Sequence, residues 1–313
     1  MTKKQIVIVT VALAVLLISI IVLTKNKSIT YETYEKNSPP RIGAVHLTVS
    51  DLERSVKFYE QMIGFDILTK QSNKVTLTAD GTTPLLILEE EANSIERPLG
   101  TTGLYHFAIL LPDRSSLANA LLHLADNEYP MQGAANHQYS DALYLADPEG
   151  NGIEIYADYP SNEWKRATDG SYVSGTYPID LNDLAQEATP PWSGLPDNTR
   201  VGHMHLQVAE LEKVEQFYVD GLGFNITSKD NGSLFLSKDN YHHHIALNTW
   251  SGTGLPTPPD NARGLKKFIV FFTQDEIDEA KVQLKRLNIP FDVSNDTMSV
   301  IDPSGNKIEI IIR

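Results

Sequence analysis

Cysteine is absent from this chain. That excludes zinc–thiolate sites, thiol nucleophiles and disulfides, so any metal must be held by imidazole and carboxylate. Positive charge is scarce as well: 26 Lys and Arg stand against 40 Asp and Glu, a formal net charge of −14. Nothing basic is clustered enough to follow phosphates, which argues against a nucleic-acid partner. Long apolar runs are missing with one exception. Ile6–Leu23, IVIVTVALAVLLISIIVL, is uncharged and flanked by Lys3-Lys4 on one side and by Lys25 and Lys27 on the other. At 1.5 Å rise per residue it spans roughly 27 Å, enough for a hydrocarbon core. It reads as a single-pass membrane anchor over residues 6–23. A signal peptide is the rival, but its apolar region is usually shorter and no small-x-small cleavage site comes after it. The amino terminus with Lys3-Lys4 favours N-inside, placing the rest of the chain outside the cell membrane. Residues 24–40 form a polar tether.

Beyond the tether the chain is repetitive. Residues 42–67, IGAVHLTVSDLERSVKFYEQMIGFDI, align without a gap on 201–226, VGHMHLQVAELEKVEQFYVDGLGFNI. His46 falls on His205, and Phe58-Tyr59 on Phe217-Tyr218. DPEGNGIEI at 147–155 likewise matches DPSGNKIEI at 302–310, setting Glu154 over Glu309. Self-similarity of this kind fixes architecture.

Four copies of one unit can be traced, each a strand, a helix and three further strands. In the first, Val45, Leu47 and Val49 alternate with Ala44, His46 and Thr48, the period of a strand with distinct faces. Ser50–Glu53 reads as a capping box, Leu52, Val56, Tyr59 and Ile63 as an apolar stripe, and Gly64 as the stop. The second unit runs from Gly103 to about Asp158, the third over 201–249 and the fourth over 264–313. Between the second and third lies 160–199, rich in Pro, Gly, Asp and Ser. The expected organisation is an anchor and tether at 1–40, a first domain at 41–159, a linker at 160–199 and a second domain at 200–313. The fold class is α+β, and the linker is long enough for units to pair across it.

The repeated βαβββ unit, the FY-x4-GF helix ending and the DPxGNxIEI last strand resemble the vicinal oxygen chelate superfamily. Within it, GLYHFAILLPDR at 103–114 and YHHHIALNTW at 241–250 make the chain similar to the two-domain extradiol ring-cleaving branch, the catechol 2,3-dioxygenase type. The resemblance covers residues 41–313. It implies paired modules whose open sheets curl round a metal cavity, with ligands on first and last strands. It also implies Fe(II), with Mn(II) as the usual substitute, and a small aromatic diol and O2 as reactants. A homo-oligomer is compatible with it.

The matching positions are His46 in unit one, His106 and Glu154 in unit two, His205 in unit three and Glu309 in unit four, where Lys267 stands in place of a histidine. If neighbouring units pair, His46, His106 and Glu154 form two imidazoles and a carboxylate, a facial set suited to non-haem Fe(II). If units two and three pair, the set becomes His106, Glu154 and His205, with His244 close by. Adjacent units need no linker crossing, which favours the first pairing slightly. His205, His244 and Glu309 form a vestigial alternative that Lys267 would oppose. His137 resembles the histidine that contacts substrate in extradiol enzymes, and Tyr144 is placed to hydrogen-bond a ring oxygen. His203 shares a face with His205 and is expected behind the ligands. His242 and His244 share a face, with His243 pointing away. Two other functions use the same scaffold: a glyoxalase-type lyase, which tends to use two carboxylates, and a non-catalytic small-molecule binding or resistance protein.

Overall fold

The computed structural model describes residues 40–189 and 191–313. The anchor expected at Ile6–Leu23 lies outside the described residues; among those described, no helix is long and apolar enough to cross a membrane. All four βαβββ units are present. Unit one comprises β1 (Ile42–Val49), α1 (Leu52–Phe58, prolonged by a π turn at Tyr59–Ile63), β2 (Asp66–Lys70), β3 (Lys74–Thr78) and β4 (Leu86–Glu90). Unit two comprises β5 (Gly103–Leu111), α2 (Arg114–Asp126), β6 (Met131–Asn136), β7 (Ser140–Ala146) and β8 (Gly152–Asp158). The connection to unit three carries the short helix α3 (Leu181–Gln186). Unit three comprises β9 (Arg200–Gln207), α4 (Leu211–Glu215, with a π turn at Gln216–Gly221), β10 (Asn225–Asp230), β11 (Ser233–Ser237) and β12 (Ile245–Asn248). Unit four comprises β13 (Gly264–Phe272), α5 (Gln274–Arg286), β14 (Phe291–Ser294), β15 (Thr297–Ile301) and β16 (Lys307–Ile312).

The pairing differs from the one favoured by adjacency. One eight-stranded sheet runs β14-β15-β16-β13-β1-β4-β3-β2 and joins units one and four. The other runs β10-β11-β12-β9-β5-β8-β7-β6 and joins units two and three. The division into sequential domains at 41–159 and 200–313 is therefore corrected: each sheet draws one unit from each half. Adjacency in sequence does not decide which units pair. Each doubling of a connection costs only about 0.6 kcal/mol, so a long linker hardly penalises the crossing. The antiparallel first strands, β1 against β13 and β5 against β9, set the partners instead.

One face of each sheet packs against helices and against the other sheet in a shared apolar core. Val45 and Leu47 of β1, Phe107 and Ile109 of β5, Met204 and Leu206 of β9, and Phe268 and Val270 of β13 all belong to it. Because side chains alternate along a strand, the intervening residues face the other way. In the sheet of units two and three that second face carries a smaller aromatic cluster, with Tyr139, Tyr156, Trp164, Tyr172 and Tyr241.

The repeated motifs outside the strands have structural work. Tyr59 donates its hydroxyl to Asp147 (2.8 Å), and Tyr218 donates to Asp302 (3.0 Å). Each aspartate is buried and also accepts backbone N–H groups from its own turn, Glu149 and Asn151 in one case and Ser304 and Asn306 in the other. A buried carboxylate must be hydrogen-bonded to be tolerated. The FY and DPxGN motifs therefore clasp unit one to unit two and unit three to unit four. Gly64 closes the first π turn at φ +93°, a left-handed cap that favours glycine. The first helix is capped by Asp51, which accepts from the Arg54 N–H; the capping box expected at Ser50–Glu53 is corrected, since Ser50 turns to Glu149 instead.

Candidate metal centre

Strands β5, β8 and β9 lie side by side at the centre of their sheet, β5 parallel to β8 and antiparallel to β9. His106, Glu154 and His203 project from them onto the face away from the main core. All three are buried, and one ligand atom from each lies within 4.8 Å of the others. Glu154 Oε2 stands 3.0 Å from His106 Nε2 and 3.2 Å from His203 Nε2. Two ligands bound about 2.1 Å from one ion at right angles are about 3 Å apart, so these spacings fit adjacent corners of a single coordination shell. His106 Nε2 is buried and has no hydrogen-bond partner despite its closeness to the carboxylate. A lone pair left without a donor in a buried site is costly unless a cation takes it. The donor set thus fits a divalent metal.

The charges agree with that reading. Burial opposes ionisation of Glu154, but the His203 and His106 imidazoles outweigh it and hold the carboxyl well below its usual range. Burial pushes His203 down to about 4, against the opposing pull of Glu154. An ionised carboxylate beside neutral imidazole is the state in which these groups bind metal. Gly152 makes the close approach possible: a Cβ there would sit 2.1 Å from the Tyr105 carbonyl oxygen.

The other expected residues take different places. His46 is corrected outright. It lies in the other sheet, 2.8 Å from Glu89, because unit one pairs with unit four. His205 lies across from His106 on β9 and lines the same cavity. Its Nε2 accepts a hydrogen bond from the Asn248 amide (3.0 Å), so that lone pair is committed, and His203 takes the place beside Glu154 that was expected of His205. His137 and Tyr144 meet in the cavity wall. The Gly175 carbonyl can only accept, so His137 Nδ1 donates to it (2.7 Å), and Nε2 is hydrogen-bonded to the Tyr144 hydroxyl (2.6 Å). Burial, and then Glu154, push the Tyr144 phenol well above its ordinary value. His244 turns away from the cavity toward Ser237 and Lys238. His205, His244 and Glu309 do not converge, since Glu309 belongs to the other sheet.

Sequence reasoning missed His243, expected to point away. Its ring centroid is 4.2 Å from that of His203, and it lines the cavity. The signal misread was a strand period applied through 241–244, residues that precede β12 and are not extended strand. The cavity has a volume of about 490 Å³, and no lysine or arginine lines it among the described residues. Tyr105, His205 and Trp250 form an aromatic cluster at its exposed edge, with ring centroids 4.9 to 5.4 Å apart.

Comparison with known proteins places this geometry in a family. The profile of the Glyoxalase/Bleomycin resistance protein/Dioxygenase superfamily matches residues 41–155 and 200–310. A Bacillus subtilis protein named catechol-2,3-dioxygenase is 43% identical over 277 residues, covering 87% of this chain and 97% of the relative. Biphenyl-2,3-diol 1,2-dioxygenase 3 of Rhodococcus globerulus is 29% identical over 120 residues, 36% of this chain and 63% of that protein. Among solved structures, glyoxalase I from Zea mays superimposes with a TM-score of 0.55 at 15% identity, over 87% of this chain and 92% of its own, a likeness of fold.

Proposed function

This chain belongs to the Glyoxalase/Bleomycin resistance protein/Dioxygenase superfamily, and we propose that it is an extradiol ring-cleaving dioxygenase acting on a catechol-type aromatic diol with O2. The observation that carries the reading is the convergence of His106, His203 and Glu154 at one end of an uncollapsed cavity. The 43% identity to the Bacillus catechol-2,3-dioxygenase supports the choice of reaction. Two imidazoles and one carboxylate leave open positions, the pattern suited to Fe(II). When bound, Fe(II) supplies the redox centre through which a catechol and O2 exchange electrons.

The protein's own groups do the rest. His106 and His203 contribute neutral donors and Glu154 one negative charge, so a dipositive ion stays net positive and favours an anionic diol. The Tyr144 hydroxyl, fixed by His137, is set to hydrogen-bond a substrate oxygen, and the His137–Tyr144 pair can hold a proton there. His243 presents a second imidazole on the other side of His203. The aromatic wall at Tyr105 and Trp250 suits an aromatic ring. A lining without lysine or arginine gives a carboxylate substituent no partner, so catechols with uncharged substituents are the preferred class.

Oxygen uptake with catechol after anaerobic Fe(II) loading tests the reading. Consumption of one O2 per catechol, with a ring-opened product, is expected. Metal-dependent conversion of a hemithioacetal without O2 uptake would replace it with a glyoxalase-type lyase. The single carboxylate in the cluster weighs against that lyase. We further propose that Ile6–Leu23 anchors the chain in a membrane. Full-length protein recovered from the soluble fraction, with Met1 present, would sink that part.

A further inference from the structure

A line of hydrogen bonds runs behind the cavity wall. β8 continues past Glu154 to Asp158, whose Oδ1 is 2.9 Å from His242 Nε2. His242 Nδ1 is 2.8 Å from His243 Nδ1. His243 in turn borders the cavity beside His203. The direction of each bond is set by the chemistry of the groups. An ionised carboxylate only accepts, so a His242 ring with a single proton carries it on Nε2. Its Nδ1 is then bare and must accept, which makes His243 Nδ1 the donor. His243, having one proton and carrying it on Nδ1, keeps a lone pair on Nε2. That nitrogen is the one left for the cavity.

The chain is held in place on all sides. His242 stacks on Tyr139 at 4.2 Å, with 12° between the rings, and packs 4.0 Å from Tyr241. Asp158 Oδ2 accepts the Tyr241 hydroxyl at 2.9 Å, which fixes the carboxylate. A phenylalanine at 242 would satisfy the stacking; only an imidazole can pass the hydrogen-bond order from Asp158 to His243.

We propose that Asp158, acting through His242, is a positioning residue that fixes His243 in its Nδ1–H tautomer, with Nε2 presented as a hydrogen-bond acceptor for a substrate hydroxyl. The kinetic consequence rests on the ring-cleavage reading; the proton order does not. Asp158→Asn keeps the size of the side chain, but its amide can donate to His242 and so admits the reversed order, with the His243 proton on Nε2. His242→Phe keeps the stack and breaks the chain.

The test uses the full chain in two forms. In Zn(II)-loaded protein, imidazole 15N shifts should show His243 protonated on Nδ1 in the wild type, and should lose that preference in both variants. In Fe(II)-loaded protein, kcat for catechol should fall by roughly 10²-fold or more in each variant. Bound iron and KM should change by less than about twofold, as expected when an interaction is realised only beyond the ground state. A wild-type His243 carrying its proton on Nε2 would overturn the proposal, as would unchanged kcat in both variants. Loss of iron or of melting temperature in both would also overturn it, by showing a merely structural role. An expected spectrum with no oxygen uptake would support the proton order and sink the ring-cleavage reading instead.

Discussion

The two eight-stranded sheets have the same strand plan, yet only one carries a metal-type cluster. In each of the four first strands, one residue immediately precedes a fully buried apolar side chain: Val45, Phe107, Met204 or Phe268. Those four residues are Ala44, His106, His203 and Lys267. Units two and three thus supply two imidazoles to Glu154, while the matching positions of units one and four hold a methyl group and the ammonium that pairs with Glu309. Lys267 Nζ lies 2.5 Å from Glu309 Oε1, so the lysine provides the positive charge that a bound ion would provide in the other sheet. The small Gly152 that lets β8 approach β5 is Lys307 at the matching position. A buried or half-buried carboxylate at this point of the fold calls for a cation: Lys267 supplies it in one sheet, and the two imidazoles of the other leave the place to a metal ion. An external cation would open a reactive site; the internal one closes it.

The largest expected effect breaks the sheet that carries the cluster. His106→Ala, His203→Ala and Glu154→Ala should each abolish stoichiometric iron and lower turnover by more than about 10²-fold, since even partners behind metal ligands are worth 10- to 100-fold. Glu309→Ala, at the matching place, should leave iron content and turnover within about twofold. Metal analysis with oxygen uptake checks both arms, and equal losses in the two sheets would end the comparison.

Acid should act next, most clearly on metal-free protein. His203 is lowered to about 4 by burial against an ordinary 6.5, so between those values the unfolded chain binds more protons than the folded one. Its stabilising contribution is complete above about pH 6.5 and is lost as pH falls toward 4. The full loss is on the order of 3 kcal/mol for this fully buried ring. His205 and His243 are lowered well below the ordinary value by burial as well and should steepen the fall. Denaturant midpoints measured from pH 7 to pH 4 should therefore drop in the wild type and drop less in His203→Phe. Metal loading should protect the wild type by locking the neutral ring. Equal acid sensitivity in the variant would remove His203 as the cause.

A smaller effect separates the two histidines of β9. His205→Ala should retain iron, because the Asn248 amide already occupies its Nε2, and should raise KM a few-fold through the aromatic edge it shares with Tyr105 and Trp250. Loss of iron in this variant would return His205 to the ligand set in place of His203.

Much of this was legible in the residues. The four units and the strand–helix–strand order within each come from the repeat, and the pair His106–Glu154 from what the resemblance to the vicinal oxygen chelate superfamily implies for first and last strands. The partners of the sheets were not, because sequence repeats state what is equivalent and not which copies touch; that depends on strand-edge complementarity over distances a linker barely penalises. His203 was legible and misassigned. His46 and His205 are the histidines that the repeat superimposes, one step along the strand face, whereas alignment on the buried residue just after it puts His203 over His106. Glu89 was missed because β4 reads as an apolar strand up to Leu88, and its carboxylate only acquires meaning beside His46, Lys74 and Lys266.

The smallest effect concerns the internal cation itself. Lys267 and Glu309 have side chains 33% and 25% exposed, so water screens their ion pair and its worth is about 0–1 kcal/mol. Lys267→Met should therefore lower the melting temperature by only a degree or two and leave ring cleavage unchanged. It would, however, leave Glu309 without its cation, while the imidazole across from position 267, His46, is turned to Glu89. Lys267→His combined with Ala44→His restores the two imidazoles of the other sheet around Glu309. If charge compensation is what distinguishes the sheets, the double variant should bind a second equivalent of Zn(II), more weakly than the first, while Lys267→Met binds none. Titration calorimetry on Glu154→Ala protein, in which the first site is disabled, reads that second equivalent alone. No heat from the double variant would show that the partly exposed setting, and not the lysine, is what sets this sheet apart.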